Sequence, residues 1–319
     1  MHLQILDLDG SAAAQATVGA AAAWSSVTTI ALRELAPRLR LWSRAAAIAA
    51  FDRQLDAAQA RTVDTISLLG SGDFHHLAAV LMRRAGAADA RPFTVLHIDN
   101  HPDWVRLAPP WHCGAWVNRA LELPCVARVV TVGVCSDDLV RPDLKGGNLP
   151  ALASGRLVLF PWSHAPSRVW RRVADGAGRR WHAGRTVAGE IVWDNLAQGD
   201  FGAHLADILG QIETDNVWIT IDKDVLPEAE ALSNWDQGQM PLARVLETIR
   251  CVGRARRIVG ADICGEYSPI VHANWIKRVE SGMDQPRRAE TAEALARNER
   301  VNVALLRALA GADAEAGNA

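Results

Sequence analysis

Eight short apolar runs, spread along nearly the whole chain, constrain its fold more than any other feature. They are Leu3–Leu8, Thr65–Leu69, Phe93–Ile98, Ala127–Val134, Arg156–Phe160, Glu190–Trp193, Val217–Ile221 and Arg257–Ile263. Several are rich in Val and Ile and most lack strict alternation, as in strands buried on both faces of a parallel sheet. Between them lie stretches with helical spacing: Leu77–Ala85, Trp116–Leu123, Phe201–Glu213 and Leu242–Gly253. Asp200 is placed to cap one of these helices, and Gly253 to close another. The alternation predicts a three-layer α/β/α fold with a mostly parallel central sheet of about eight strands.

The 319 residues read as a single domain over 1–319, and 49% of them are hydrophobic, enough for a full core. A net charge of −2 argues against a general nucleic-acid or membrane-surface binder. The local cluster Arg171, Arg172, Arg179 and Arg180 reads as a solvated face or loop. The five cysteines are odd in number and form no C-x-x-C pair. This argues against a disulfide framework or structural zinc and fits a reducing cytoplasm. The uncharged, Ala-rich stretch 12–23 reads as a buried helix, too short and too poorly flanked to be a signal or a membrane span. The first 60 residues read as mainly helical, with no part in the chemistry. Segment 164–190 reads as a surface excursion, 281–290 as a loop, and roughly 290–310 as a final helix.

In open parallel sheets, ligands bind beyond the carboxyl ends of the strands. Polar constellations fall at those ends. Asp99-Asn-His101-Pro-Asp103 follows one run, and in extended chain its alternate residues would share a side. Gly70-Ser-Gly-Asp-Phe-His75-His76, Asp222-Lys-Asp224 and Asp262-Ile-Cys-Gly-Glu266 follow others. His112 lies in the loop Trp111-His-Cys-Gly. A strand-end Asp is often only a helix cap, and a lone His is more often a satisfied core residue than a ligand. Two acids and an imidazole on one face, however, would repel or desolvate without a cation. The combined inventory suits a dinuclear metal site.

These motifs resemble those of the ureohydrolase superfamily, which includes arginase and agmatinase: Asp99-Asn-His-Pro-Asp103, Thr220-Ile-Asp222-Lys-Asp224, and the Gly72-Asp-Phe-His75 turn. The resemblance covers islands between about residues 65 and 270. It implies an arginase-like fold and two manganese ions per chain. His75 and Asp103 would hold one, His101 and Asp224 the other, and Asp99 and Asp222 would bridge them. His75 is preferred to His76 because the Leu-Ala that follows aligns with the family, though either could be the ligand. It further implies Asp103 and His112 as proton carriers and Glu266 as the carboxylate that grips a guanidinium. The reaction implied is hydrolysis of a guanidinium to urea and an amine.

The departures bear on substrate. The loop after the triplet reads Trp104-Val-Arg-Leu-Ala-Pro-Pro-Trp111, with Val105 where free-arginine enzymes carry an Asn, and no Ser or Thr. The motifs are closer to a divergent branch that includes peptide arginases, which convert arginine residues of ribosomally made precursor peptides to ornithine. Trp104 and Trp111, with Trp116 and Trp235, are then candidates to line a peptide groove. The alternatives are a hydrolase of a small free guanidine compound, a deacetylase-like metallohydrolase, and a non-catalytic peptide-binding protein.

Overall fold

A computed structural model describes residues 1–170, 184–187, 189–272, 275–286, 288 and 291–311. The strands are β1 (His2–Asp7), β2 (Val27–Ala31), β3 (Thr65–Leu68), β4 (Phe93–Ile98), β5 (Val126–Val132), β6 (Leu157–Phe160), β7 (Ser167–Arg168), β8 (Gly184–Val187), β9 (Glu190–Trp193), β10 (Asn216–Asp222) and β11 (Arg257–Cys264). Eight of them form one sheet in the order β2-β1-β3-β11-β10-β4-β5-β6, and every neighbouring pair is parallel. All the carboxyl ends therefore lie at one edge. The central strands β3, β4 and β10 are buried along their whole length, as expected where helices cover both faces. The helix Leu242–Ala255 packs on β11 and on the final helix, Ala292–Ala310.

The predicted three-layer parallel architecture is what the structure shows, with one exchange of strands. Glu190–Trp193 belongs to a separate antiparallel sheet, β7-β9-β8. The eighth place in the main sheet goes to β2, an edge strand with only Ile30 buried. Edge strands need no continuous apolar run, so β2 left little signal.

Four other readings change. The stretch 12–23 forms turns and a single 3₁₀ segment, Val18–Ala20, and the first 60 residues carry two strands as well as the helix Ala45–Ala57. Alanine buries too little surface for its mere abundance to fix a buried helix. The helix expected to stop at Gly253 continues to Ala255, whereas Asp200 does cap its helix, accepting from the Gly202 N–H at 3.0 Å. A helix, Trp275–Asp284, covers the first part of the predicted 281–290 loop. Its apolar residues Trp275, Ile276, Val279 and Met283 face outward. Lys277 and Glu280 turn inward to polar partners, Lys277 Nζ donating to the Arg38 and Arg40 carbonyls. A helix with polar anchors and an apolar outer face gives no core-facing stripe to read. The cluster Arg171, Arg172, Arg179 and Arg180 lies outside the described residues, as does most of the excursion around it. Among the described residues, no helix is long and apolar enough to cross a membrane.

Candidate metal centre

The loops and turns leaving β3, β4 and β10 converge at the carboxyl edge of the sheet, where a cavity of about 730 Å³ is lined by His75, Asp99, His101, Asp103, Asp222 and Asp224. β3 runs into the 3₁₀ turn Gly72–Leu77, which carries His75 inward. A Cβ on Gly72 would stand 2.5 Å from Asp222 Oδ2, so only glycine lets this turn close on β10. His75 Nδ1 lies 3.1 Å from Asp99 Oδ2, 3.3 Å from Asp103 Oδ2 and 3.7 Å from Asp222 Oδ2. The neighbouring His76 faces away, its Nε2 pairing with Ser43 Oγ at 2.8 Å. The geometry thus puts His75 in the cluster.

The triplet converges for a different reason from simple alternation. β4 ends at Ile98, so Asp99, His101 and Asp103 lie in the loop beyond it. Asp99 Oδ1 accepts from the His101 N–H at 2.6 Å and bends the chain. Asp103 adopts a left-handed conformation, φ +47°, a region that disfavours most side chains by roughly 1–2 kcal/mol but that Asp visits more readily. Its Oδ2 accepts from Trp116 Nε1 at 2.6 Å. On β10, Asp222 accepts from the Asp224 N–H at 3.0 Å. The bland reading of Asp222 as a turn cap and its place in the cluster therefore both hold.

The electrostatics call for a cation. Asp99, Asp103, Asp222 and Asp224 are all buried. Taking each from water costs several kcal/mol unless it is compensated. Burial and the Asp99 charge push Asp222 up to about 6, and the same two causes raise Asp103. Burial, Asp222 and Asp99 raise Asp224 well above the usual carboxylate range. Burial alone would also raise Asp99, but His97 and a hydrogen bond from His101 hold it well down. Burial disfavours charge on His101, yet Asp224, Asp236 and Asp99 hold it well above its ordinary value.

The orientation of His75 is decisive. Its Nε2 lies 2.8 Å from Thr220 Oγ1, and that hydroxyl donates to Asp262 Oδ1 at 2.7 Å. Trp218 Nε1 holds the other Asp262 oxygen at 2.7 Å. A threonine that gives its proton to Asp262 can only accept from His75 Nε2–H. The other ring nitrogen, Nδ1, is buried, makes no hydrogen bond and faces three carboxylates. Such an arrangement is repulsive unless a metal ion or proton sits between the groups. Donor atoms of His75, His97, Asp99 and Asp103 form one close set, and those of Asp99, His101 and Asp224 another. The residues present fit a metal ion.

Other assignments fall differently. His112 lines the cavity, accepts from the Gly114 N–H at Nδ1 (2.9 Å) and pairs through Nε2 with Glu280 Oε1 (3.1 Å). Glu266, expected to grip substrate, is buried and is not among the cavity-lining residues. Lys223 Nζ and Asn302 Nδ2 donate to its Oε1, and Asn298 Nδ2 to its Oε2. Both oxygens are thus engaged inside the protein. Trp104 is fully buried in the core, and Trp111 packs against the core outside the cavity lining. Neither is placed to contact a substrate there, because the loop folds inward. Trp116 is also buried, its ring 4.8 Å from that of His75. Of the four tryptophans, Trp235 alone lines the cavity.

The sequence reading missed several residues. His97 binds Asp99 Oδ2 through Nε2 at 2.8 Å, and its position two residues before Asp99 on the strand was a usable signal. Asp236 pairs with His101 Nε2 at 2.9 Å. The N-terminal region, expected to be idle, supplies Trp42, which donates to Glu280, and Arg40, which pairs with Asp73 and Asp9. Their sequence distance from the motifs hides them.

The chain has an arginase-like α/β fold and a carboxylate–imidazole cluster able to hold a metal ion. Solved structures share the fold. The arginase of Bacillus caldovelox matches with a TM-score of 0.59 at 15% identity, over 97% of this chain and 96% of that one. A hypothetical agmatinase from Burkholderia thailandensis matches at 0.56 and 17% identity, over 98% and 86%. The formimidoylglutamase of Bacillus subtilis matches at 0.57 and 12% identity, over 97% and 85%. No family model matches the chain. A Thermotoga maritima protein described as uncharacterized is 25% identical over 205 residues, which are 64% of this chain but only 59% of that protein.

Proposed function

We propose that this chain is a metal-dependent amidinohydrolase that converts arginine residues of a peptide to ornithine with release of urea. One observation carries the reading: six ligand-type side chains line one cavity, and the buried His75 Nδ1 among them faces three of its carboxylates. The reading is supported by the fold shared with structures named arginase, agmatinase and formimidoylglutamase. His75 and Asp103 would hold one divalent ion, His101 and Asp224 a second, with Asp99 and Asp222 between them. Manganese suits the half made of His101, Asp224 and Asp99, which offers only oxygen and imidazole donors.

The guanidinium carbon is a delocalised, poor electrophile, so a strong nucleophile is needed. The bound ions would supply Lewis-acid activation of water. Asp103, its Oδ2 steadied by Trp116, accepts a proton from the attacking water. His112, backed by Glu280, delivers a proton to the leaving amine. With Glu266 outside the cavity lining, Asp137 and Asp138 are cavity carboxylates that could meet the guanidinium.

Two features favour a peptide. Val105 stands where a handle for a free amino acid would be. The same residue lines a second surface groove of about 440 Å³ that also contains Arg106, Arg119 and Arg156, so chain flanking an arginine has somewhere to lie. Lys145 at the cavity wall favours a second reading, a free guanidino acid whose carboxylate it would meet. Mass spectrometry of protein loaded with divalent metal, incubated with arginine peptides and with free arginine, separates the two. Loss of a cyanamide unit from the peptide is the expected result. Conversion of free arginine with peptides untouched would overturn the peptide assignment.

A further inference from the structure

Cys264 ends β11 directly opposite Asp222, its partner in the parallel register with β10. The thiol is fully buried, and its Sγ lies 3.2 Å from Asp222 Oδ2. The approach is built into the backbone. Gly265 follows at φ +87°, and a Cβ there would fall 2.3 Å from Asp222 Oδ1 and 2.4 Å from the Lys223 nitrogen. Any other residue would push β11, and Cys264 with it, away from the cluster. A second observation, independent of the cysteine, points to the same space. His75 is 1% exposed, and its Nδ1 has no hydrogen-bond partner while lying 3.7 Å from Asp222 Oδ2.

Donor atoms of His75, Asp222 and Cys264 all lie within 4.8 Å of one another. Around a tetrahedral zinc ion, sulfur and nitrogen or oxygen donors stand roughly 3.5 Å apart, given their bond lengths. The Cys264 Sγ–Asp222 Oδ2 separation of 3.2 Å is close to that spacing, and the His75 Nδ1–Asp222 Oδ2 separation of 3.7 Å is close to the roughly 3.4 Å of two nitrogen or oxygen donors.

We propose that Cys264 is a metal ligand, and that the half-site of His75, Asp222 and Cys264 takes a thiolate-tolerant divalent ion such as zinc, cobalt or iron rather than manganese. The inference rests on the metal reading above and deepens it, because the two halves then differ in chemical softness. On binding, the S–H bond breaks, a sulfur–metal bond forms and the proton passes to solvent. The S–H hydrogen bond to Asp222 is lost, and that oxygen turns to the ion.

Cobalt(II) titrated into metal-free full-length protein tests this without any turnover assay. The expected result is visible d–d absorption together with a near-ultraviolet thiolate-to-cobalt charge-transfer band. The Cys264→Ala and Cys264→Ser variants should lose that band and keep d–d absorption from the other half. Cys113→Ala, which removes the thiol that lines the cavity, should keep it. Zinc affinity of the Cys264 variants should fall by more than the roughly 10–100-fold typical for loss of an outer partner, with manganese affinity little changed. Cobalt binding without the band, or a band that survives in folded Cys264→Ser, would overturn the ligand assignment and leave the metal reading standing. No cobalt binding at all would overturn both.

Discussion

The two halves of the candidate metal centre are built differently. Around His75 every group is buried: the imidazole, the thiol of Cys264, and the Thr220–Asp262–Trp218 chain behind them. All these residues belong to adjacent central strands or the turn directly after one. Around His101 the support is a loop. The His101 side chain is 16% exposed, and its backing carboxylate, Asp236, is 59% exposed. One half is a piece of the core with its donors fixed before anything binds. The other shares buried carboxylates, Asp99 and Asp224, but carries its imidazole on a partly exposed rim. A preorganised set loses less freedom on binding, so the His75 half should retain its ion longer and discriminate more sharply between ions.

The contrast can be broken most forcefully where the halves meet. Asp99→Asn weakens a carboxylate shared by both, so both ions should be lost from folded protein. Turnover should fall by more than the roughly 10²–10⁴-fold typical of losing a proton-transfer group. Metal analysis beside a circular dichroism spectrum checks this, and full retention of both ions would mean the halves are not joined through Asp99. A smaller effect is expected from Thr220→Val, which keeps the shape of the side chain but frees His75 to adopt the other tautomer. Affinity at the His75 half should drop roughly 10–100-fold while the His101 half is spared, as calorimetric titration would show. Equal losses in both halves would blur the distinction. The mildest change is Asp236→Asn. Its exposed pairing with His101 is worth no more than about 1 kcal/mol, so affinity should change less than about fivefold. A loss as large as that of Thr220→Val would show the rim to be as preorganised as the core.

Much of this centre was legible in the sequence. The Asp99 triplet and the Asp222/Asp224 pair are local motifs at the ends of apolar runs, and strand ends are where an open parallel sheet places its ligands. A turn, and not strand alternation, brings the side chains of the triplet together, because β4 ends before it begins. Glu266 shows the limit more clearly. Its motif suggests a substrate carboxylate, but Lys223, Asn298 and Asn302 engage both oxygens from a turn and a helix that no local pattern links to it. Trp104 and Trp111 likewise look available in the sequence, yet Trp104 is buried and Trp111 packs against the core.

By itself the sequence determined the parallel α/β class and the identity of most ligand-type residues. Both are written in short-range patterns, a run of apolar side chains and the acids and imidazoles just after it. Tertiary structure alone decided which of these side chains share a space. Parallel register sets Cys264 beside Asp222 across 42 positions of chain. Packing seals Glu266 and Trp104 away and brings Trp42 to the partner of His112. Donor chemistry belongs to single residues, but proximity and burial belong to the assembled sheet, because they depend on what folds against each residue from elsewhere in the chain.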